Sequence, residues 1–184
     1  MQFERTEIED VILVKPKVLG DRRGFFLESY RQSKFAEAGI ATDFVQDNIS
    51  SSQRNTVRGL HYQIDQPQDK LVMVMKGEIL DVAVDLRKDS DTFGKSVTRR
   101  LSGENHYQLF IPKGFAHGFS VLSDQALVYY KCTDYYHPEG ERGLLWDDPQ
   151  LEIDWKIDSP ILSEKDQNQP KLNQIPDKDL FTNL

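Results

Sequence analysis

The stretch "KLVMVMKGEILDVAVDL" (residues 70–86) predicts two strands joined by a tight turn, and it decides the fold class. The turn is placed at Lys76-Gly77-Glu78, because glycine adopts backbone conformations that other residues avoid. Successive side chains of a strand point to opposite faces. The apolar residues that share one face of the second strand are Leu80, Val82, Val84 and Leu86. We expect that face to pack in a hydrophobic core.

The opposite face of the second strand carries two carboxylates, Asp81 and Asp85, together with Ile79 and Ala83. Two interpretations remain open for the carboxylates. They are solvated, or they line the interior of a β-barrel near a functional site. Alternation alone does not choose between them.

Other strand-like runs recur along the chain, separated by short turn-forming segments. They cover residues 10–18, 24–30, 42–52, 56–63, 97–102, 107–112, 118–123 and 126–136. Many short strands at close spacing favour an antiparallel sandwich or barrel. The first half also predicts one helix, "SKFAEAGI" (33–40), with Ser33 as its N-cap and Gly39 at its end.

The composition suits one soluble domain. The chain has 184 residues, of which 38% are hydrophobic, enough for a sizeable core. Residues 1–184 are therefore assigned to a single domain with a polar C-terminal tail, about 167–184, lying on its surface after a short helix. The net charge of -7 argues against binding to nucleic acid or to anionic membranes, which require basic patches.

The single cysteine, Cys132, excludes an intrachain disulfide and is expected to be an inert, buried strand residue. The N-terminal segment lacks the basic start and the apolar stretch of a signal peptide. No window approaches the roughly 20 apolar residues of a membrane span. We therefore expect a cytoplasmic protein.

The four histidines do not form a metal-binding pattern. His61, His106, His117 and His137 are scattered, without the closely spaced pair that metal-binding β-barrels use. We expect no bound metal, and we expect His106 and His137 at the surface. Spacing alone favours His117 as a turn histidine bonded to backbone over a donor facing a ligand.

The segment "VRGLHYQ" (57–63) places a histidine in a strand where an apolar residue is expected. His61 is either a polar residue on a solvated face or a general base beside an anion-binding arginine. Alternation puts Arg58 and His61 on opposite faces. They share one site only if the strand is bulged, and Gly59 is the candidate bulge residue.

The segment "YYKCTDYY" (129–136) contains four tyrosines. Structural use of all four is the default, because a buried tyrosine ring packs well when its hydroxyl finds a partner. A tyrosine in a functional site would serve as a proton donor or as a surface on which a base or sugar stacks.

An ordered set of motifs resembles the dTDP-4-dehydrorhamnose 3,5-epimerase family. The set begins at "GDRRGFFLESY" (20–30) and includes "RGLHYQ", the 70–86 stretch, "FIPKGFAHGFSVL" (110–122), "YKCTDYY" and "SEKD" (163–166). The match extends over nearly the whole chain. The resemblance implies a mainly β fold, a cupin-like antiparallel β-barrel (jelly roll) with a few short helices.

The resemblance also implies four catalytic residues. His61 is the general base, Asp166 orients it, Lys70 lies beside the sugar carbonyl, and Tyr130 donates a proton. The implied reaction is the 3,5-epimerisation of dTDP-4-keto-6-deoxy-D-glucose in dTDP-L-rhamnose biosynthesis, without metal or redox cofactor. Histidine and tyrosine suit it, since protons α to a carbonyl must be removed and returned.

Further residues are implied to bind substrate. Arg58 contacts the substrate or its pyrophosphate, and Tyr136, chosen over Tyr135 by motif register, stacks on thymine. The other implied substrate contacts within the chain are Gln46, Asn48, His117, Glu141 and Lys165. Those implied to come from the neighbouring subunit of a homodimer are Arg23, Phe26 and Glu28. The apolar strand 11–18 has an edge that is expected to pair in that dimer.

Three alternatives make different predictions. An epimerase acting at one centre on a related dTDP-4-keto-6-deoxy sugar would keep His61 and Tyr130 and differ in pocket shape. A non-catalytic nucleotide-sugar binding module would have lost His61, Asp166 or Tyr130, and none is missing. A metal-dependent cupin oxygenase or isomerase would have a His-x-His pattern, which the sequence lacks.

Overall fold

The computed structural model describes residues 1–182, and strands dominate it. The first seven strands are β1 Gln2–Arg5, β2 Ile12–Lys15, β3 Val18–Asp21, β4 Gly24–Leu27, β5 Gln46–Gln53, β6 Val57–Gln63 and β7 Lys70–Lys76. Six follow: β8 Glu78–Asp85, β9 Ser96–Ser102, β10 Gln108–Ile111, β11 Phe115–Val121, β12 Gln125–Cys132 and β13 Glu141–Gly143. The helices are α1 Gln32–Glu37 and α2 Glu164–Gln167, with 3-10 turns at Pro138–Gly140, Pro149–Leu151, Leu172–Gln174 and Asp177–Asp179.

The strands form two main sheets and one hairpin. One sheet has the order β1-β2-β10-β7-β12-β5, the other has the order β13-β6-β11-β8-β9, and β3 pairs with β4. Neighbouring strands in these ladders run antiparallel. The predicted antiparallel β architecture is confirmed.

The 70–86 stretch forms the predicted hairpin, and both faces of β8 are buried. Ile79 and Ala83 lie in a cluster built from both sheets. Leu80 and its apolar partners on the other face pack against the C-terminal segments. Asp81 and Asp85 are also completely buried, so the solvated interpretation is wrong for both.

The C-terminal segment differs from the expected surface tail. The predicted short helix is α2, but Ile175, Leu180 and Phe181 are buried beyond it. They pack in the cluster that contains Leu86. Three apolar residues spaced along a polar stretch carry no strong periodic signal, which is why the sequence suggested only a surface tail. The single-domain organisation stays a prediction.

The beginning of α1 also differs from the prediction. Arg31 occupies the N-cap position without a side-chain bond, and the predicted cap, Ser33, lies inside the first turn. The predicted end is confirmed, because Gly39 has φ +88 and its N–H bonds to the carbonyl of Ala36.

Two further expectations are wrong. The strand in the 11–18 run, β2, has no free edge, because it pairs with β1 on one side and β10 on the other. His106 is buried rather than exposed, and its ring lies 4.4 Å from that of Phe25 between centroids. The turn at Ser102 to Tyr107 folds this histidine inward with φ +56.

Among residues 1–182 no helix is long and apolar enough to cross a membrane.

Candidate active site

Strand β6 contains the predicted bulge. His61 lies opposite His117 of β11, but Arg58 lies opposite Phe119, so three steps along β6 match two along β11. Gly59 has φ +99, and a Cβ there would lie 2.5 Å from the carbonyl oxygen of His117. Only glycine fits this close approach. The bulge brings Arg58 and His61 to the same cavity despite their odd spacing.

Two adjoining cavities lie where the two sheets face each other. The main cavity has a volume of about 510 Å³ and the second about 440 Å³. His61, Lys70 and Tyr130 line both, and thus mark their junction. The predicted site residues that line only the main cavity are Arg58, His117, Lys165 and Asp166. Those that line only the second are Gln46, Asn48, Tyr136 and Glu141.

His61 and Asp166 are in direct contact. Nε2 of His61 lies 2.6 Å from Oδ1 of Asp166, which is nearly completely buried. Burial works to raise the pKa of the Asp166 carboxyl, but the hydrogen bonds from His61 and Ser163 outweigh it and hold that pKa below its usual range. An ionised carboxylate only accepts hydrogen bonds. Nε2 of His61 therefore carries the hydrogen, and Nδ1 is left as the basic nitrogen.

Lys70 is the first residue of β7 and lies where the two cavities meet. Burial lowers the pKa of its ammonium group, and the negative charges of Asp81 and Glu141 oppose that shift only in part. Within residues 1–182 its Nζ has no hydrogen-bonding partner. A half-buried cation without a partner is suited to an anionic group on a ligand.

Tyr130 reaches the same junction from β12, in the sheet opposite His61. Its ring packs against the core between the sheets, and burial raises the pKa of its hydroxyl. No hydrogen-bonding partner for that hydroxyl occurs in the described part of the chain. Its neighbour Tyr129 faces the other way, and its hydroxyl donates to Asp47 at 3.0 Å. The hydroxyl of Tyr130 thus remains free to bond to a ligand.

His117 forms a second histidine–carboxylate pair. It lies inside β11 and its Nε2 is 2.7 Å from Oδ1 of Asp81 on β8. Both side chains are nearly completely buried, and Oδ2 of Asp81 lacks a partner among residues 1–182. The preference from spacing for a turn histidine bonded to backbone is wrong. The strand places its ring in the wall of the main cavity.

Strand β5 supplies hydroxyl groups that the sequence analysis missed. Nε of Arg58 donates to Oγ of Ser52 at 2.8 Å, which fixes the arginine stem. Ser50, two residues earlier on the same face, lines the main cavity. The signal available was the polar composition of "QDNISSSQ" (46–53), in which Ile49 is the one apolar residue, so both faces of this strand carry polar side chains.

A linked set of polar groups joins the second cavity to Lys165 of the main cavity. The hydroxyl of Tyr136 donates to Oε2 of Glu141 at 2.8 Å, and Nζ of Lys165 lies 2.5 Å from the same oxygen. Burial works to raise the pKa of Glu141, but these two contacts outweigh it and lower that pKa. Tyr135 is also exposed but does not line the cavity, which favours Tyr136 as a surface for stacking.

Three predicted binding residues lie away from both cavities. Arg23 and Phe26 belong to the exposed β3–β4 hairpin, where Arg23 pairs with Asp21 at 2.5 Å. Glu28 forms ion pairs with Arg31 and Lys34. Within one chain these residues are not brought to the site.

Two further residues considered in the sequence analysis are His137 and Cys132, of which Cys132 lines the second cavity. His137 is half-buried rather than fully at the surface, and its backbone N–H donates to the side chain of Gln63. Cys132 is buried in β12, as predicted, and burial raises the pKa of its thiol. Within residues 1–182 no group of three or more His, Cys, Asp or Glu side chains is placed to hold a metal ion.

Comparison with known proteins identifies the family. The family model described as dTDP-4-dehydrorhamnose 3,5-epimerase matches residues 5–174. The chain belongs to this family. It is 58% identical over 168 residues to the enzyme of that name from Pseudomonas aeruginosa, covering 90% of this chain and 93% of the relative. The chain is thus an isomerase.

The fold agrees with solved structures of the family. The 3,5-epimerase of Legionella pneumophila in complex with dTDP-4-keto-L-rhamnose superposes with a TM-score of 0.97 at 50% identity, covering 100% of this chain and 98% of that one. The predicted cupin-like fold is thereby confirmed. A more distant relative from Streptomyces niveus, 37% identical over 98% of this chain and 88% of its own length, is named a dTDP-4-dehydrorhamnose 3-epimerase.

Proposed function

We propose that this isomerase converts dTDP-4-keto-6-deoxy-D-glucose to dTDP-4-keto-L-rhamnose for dTDP-L-rhamnose biosynthesis, by proton transfer at C3 and C5. The observation that carries the proposal is the arrangement at the junction of the cavities. A histidine oriented by a carboxylate, an unpartnered lysine and a free tyrosine hydroxyl meet there from opposing sheets. These are a base, a group for an oxyanion and an acid.

The first step is proton removal from carbon. A C–H bond beside the 4-keto group breaks, its electron pair moves to the carbonyl oxygen as an enolate, and the proton goes to Nδ1 of His61. Asp166 fixes the required tautomer and stabilises the imidazolium that forms, as carboxylates do in other histidine pairs. A positioned base contributes about 10²–10⁴-fold to such a rate.

Lys70 stabilises the enolate. Its Nζ faces the junction without a partner of its own, so a developing negative charge on the carbonyl oxygen is its counter-ion. A preorganised donor acts most strongly on charge that appears only in the transition state. His117, held by Asp81, provides a second polar group in the same wall.

Tyr130 supplies a new proton to the carbon, while the proton first removed stays on His61 until solvent takes it. Its raised pKa keeps the hydroxyl protonated near neutral pH, and it approaches from the sheet opposite His61. Protonation of the enolate carbon by Tyr130 inverts the centre, and solvent restores both residues to their starting protonation states. The same sequence at the second carbon completes the double epimerisation.

The rest of the substrate is assigned to the flanking residues. Arg58, anchored by Ser52, binds phosphate oxygens, for which its planar fork of donors is suited. Tyr136 stacks on the thymine at the rim of the second cavity. The substrate contacts assigned around these two are Gln46, Asn48, His117, Glu141 and Lys165.

The active unit is a homodimer with shared sites. The β3–β4 hairpin exposes Leu19, Phe25 and Phe26, an apolar surface that favours burial against a second copy. Arg23, Phe26 and Glu28 then reach the neighbour's nucleotide. Mixing inactive His61→Ala protein with inactive Arg23→Ala protein tests this, because each mixed dimer regains one site with both residues intact. A protein that is monomeric by light scattering and fully active in the epimerase assay would contradict it.

The enzyme is proposed to act in the cytoplasm, where nucleotide sugars are substrates, and to bind neither nucleic acid nor membranes. Its acidic net charge supports the second part. Fractionation of the native host and retention on a nucleic-acid column are direct checks.

The alternative function is epimerisation at a single centre. It is favoured by one observation, the relative from Streptomyces niveus whose name specifies a 3-epimerase. Product analysis by proton NMR, with dTDP-4-keto-6-deoxy-D-glucose and a chelator present, distinguishes the two. Inversion of both C3 and C5 supports the proposal, and inversion of one centre supports the alternative.

A further inference from the structure

The loop that carries Tyr136 is held by glutamine side chains rather than by a strand ladder. β12 ends at Cys132, and one further backbone bond joins the N–H of Thr133 to the carbonyl of Asp69. Residues 134–137 belong to no strand. Nε2 of Gln68 donates to the carbonyl of Asp134 at 2.8 Å. The N–H of Tyr136 donates to Oε1 of Gln46 at 2.9 Å. Backbone groups on such a loop require partners, and here side chains provide them.

Gln63 makes the most extensive of these contacts. Its Nε2 donates to the carbonyl of Tyr135 at 3.2 Å and to that of Gln66 at 2.8 Å. Its Oε1 accepts from the N–H of His137 at 2.8 Å. The amide thus bonds to the backbone on both sides of Tyr136. An amide carries donors and an acceptor without charge, so no other side chain of this size reproduces the pattern.

The position of Gln63 connects this loop to the catalytic strand. It is buried in β6, two residues after His61. Its hydrogen bonds therefore set the loop's position relative to the strand that carries the proposed base. Tyr136 is 54% exposed, so little packing holds its ring in place, and its side chain is held by the hydrogen bond of its hydroxyl to Glu141. A stacking surface with so few contacts depends on its backbone for a fixed orientation.

We infer that Gln63, assisted by Gln68, is a positioning residue that presets Tyr136 for the nucleotide base. The inference rests on the proposed function, and it assigns these glutamines to nucleotide binding rather than to proton transfer. Preorganisation removes the cost of ordering the loop when the ligand binds. Loss of the glutamine contacts therefore weakens binding and leaves the chemical step unchanged.

The experiment measures the dissociation constant of dTDP by calorimetry, together with KM and kcat for the sugar nucleotide. Gln63→Met removes three hydrogen bonds, and we expect dTDP affinity and KM to worsen by about tenfold while kcat changes less than twofold. Gln63→Glu keeps the acceptor for His137 but turns a buried, acceptor-only carboxylate toward the carbonyls of Tyr135 and Gln66, so it should impair dTDP binding at least as much as Gln63→Met. Gln68→Met removes one bond and should have a smaller effect. Gln53→Met, at an exposed glutamine at the end of β5, is the matched control and leaves all three constants unchanged.

A double-mutant cycle separates positioning from general structural support. In a Tyr136→Ala background, Gln63→Met should weaken dTDP binding no further, because both changes remove the same interaction. Additive losses, or a fall in kcat at unchanged KM, would overturn the inference. Wild-type protein that binds dTDP without epimerising the sugar would overturn the proposed function alone, and the same cycle of dTDP constants would still decide the role of Gln63. Wild-type protein that does not bind dTDP would overturn both.

Discussion

Asp166 lies 2.6 Å from His61 although 105 positions separate them in sequence. The contact exists because α2 packs against β6, with Ser163 capping the helix through the N–H of Asp166. The C-terminal segment thus supplies the carboxylate of a pair whose histidine comes from the centre of a sheet. The pair leaves Nδ1 of His61, whose side chain lines both cavities, as the ring nitrogen available to act as a base.

Replacing this carboxylate should reduce the chemical step. We expect Asp166→Asn to lower kcat by about 10²–10⁴-fold with a smaller change in KM, because the amide no longer fixes the tautomer of His61 or stabilises its cation. Steady-state kinetics measures both constants. Asp124→Asn, at an exposed aspartate, is the matched control. Unchanged kcat in Asp166→Asn would contradict the role given to the pair.

The alkaline side of the pH profile should report Lys70. Burial lowers the pKa of Lys70 and raises that of Tyr130, so the lysine loses its proton at lower pH than usual and the tyrosine at higher pH than usual. We expect kcat to fall as Lys70 loses its proton, at a pH below the ordinary lysine pKa near 10.4. In Lys70→Arg the alkaline fall in kcat should move to higher pH, since a guanidinium remains charged. A fall that stays in place in Lys70→Arg would assign it to another group.

The same lysine should reduce stability. Its folded pKa lies below its unfolded pKa, so the unfolded state binds the proton more tightly. The penalty is complete below both values and is relieved as the pH rises between them. Lys70→Met should therefore raise Tm at neutral pH, by about 2–4 °C for each kcal/mol, while activity falls about 10²–10³-fold. Thermal melts at several pH values measure this, and a lower Tm in Lys70→Met would contradict it.

The bulge at Gly59 should be intolerant of a side chain. Gly59→Ala places a Cβ 2.5 Å from the carbonyl oxygen of His117 at φ +99. We expect a loss of at least about 1–3 kcal/mol in the free energy of unfolding, with loss of activity because Arg58 and His61 no longer share the cavity. Gly20→Ala places a Cβ at an ordinary van der Waals distance, 3.7 Å, from the carbonyl oxygen of Gly24 and at an ordinary φ, so it should change stability by less than about 0.5 kcal/mol. Equal denaturation midpoints for the two variants would refute the account of the bulge.

Asp81 should matter through His117. Asp81→Asn leaves the shape of the wall intact but removes the charge that faces Nε2. A buried hydrogen bond to a charged group is worth about 1.5–3 kcal/mol, so kcat/KM should fall about 10–150-fold. His117→Ala should not be worsened further by Asp81→Asn. The exposed Asp89→Asn serves as control, and additive effects of the first two changes would show that Asp81 acts independently.

The sequence predicted the parts of the molecule that repeat a simple pattern. Alternation located the hairpin β7–β8, and the odd spacing of Arg58 and His61 with Gly59 between them predicted the bulge. β1 and β13 were not predicted, because "QFER" is mostly polar and "ERG" has only three residues. Single-sequence patterns carry little information about pairs distant along the chain.

The same limit applies to the site. The resemblance named His117, but only the fold shows Asp81 behind it, since a strand face with carboxylates is compatible with solvent or with a cavity. Gln63 was visible in the "RGLHYQ" motif, yet its role depends on a loop about 70 residues later. Such contacts are set by sheet order rather than by local sequence.

The measurement that tests the central claim most directly is proton NMR of dTDP-4-keto-6-deoxy-D-glucose in D₂O with this protein, a chelator and no added cofactor. We predict that deuterium enters at both C3 and C5, that His61→Ala abolishes the exchange, and that Tyr130→Phe slows formation of the inverted product. Exchange at one carbon only would establish a single-centre epimerase. No exchange at either carbon, with intact protein and substrate, would contradict the proton-transfer mechanism and the assignment of His61 as its base.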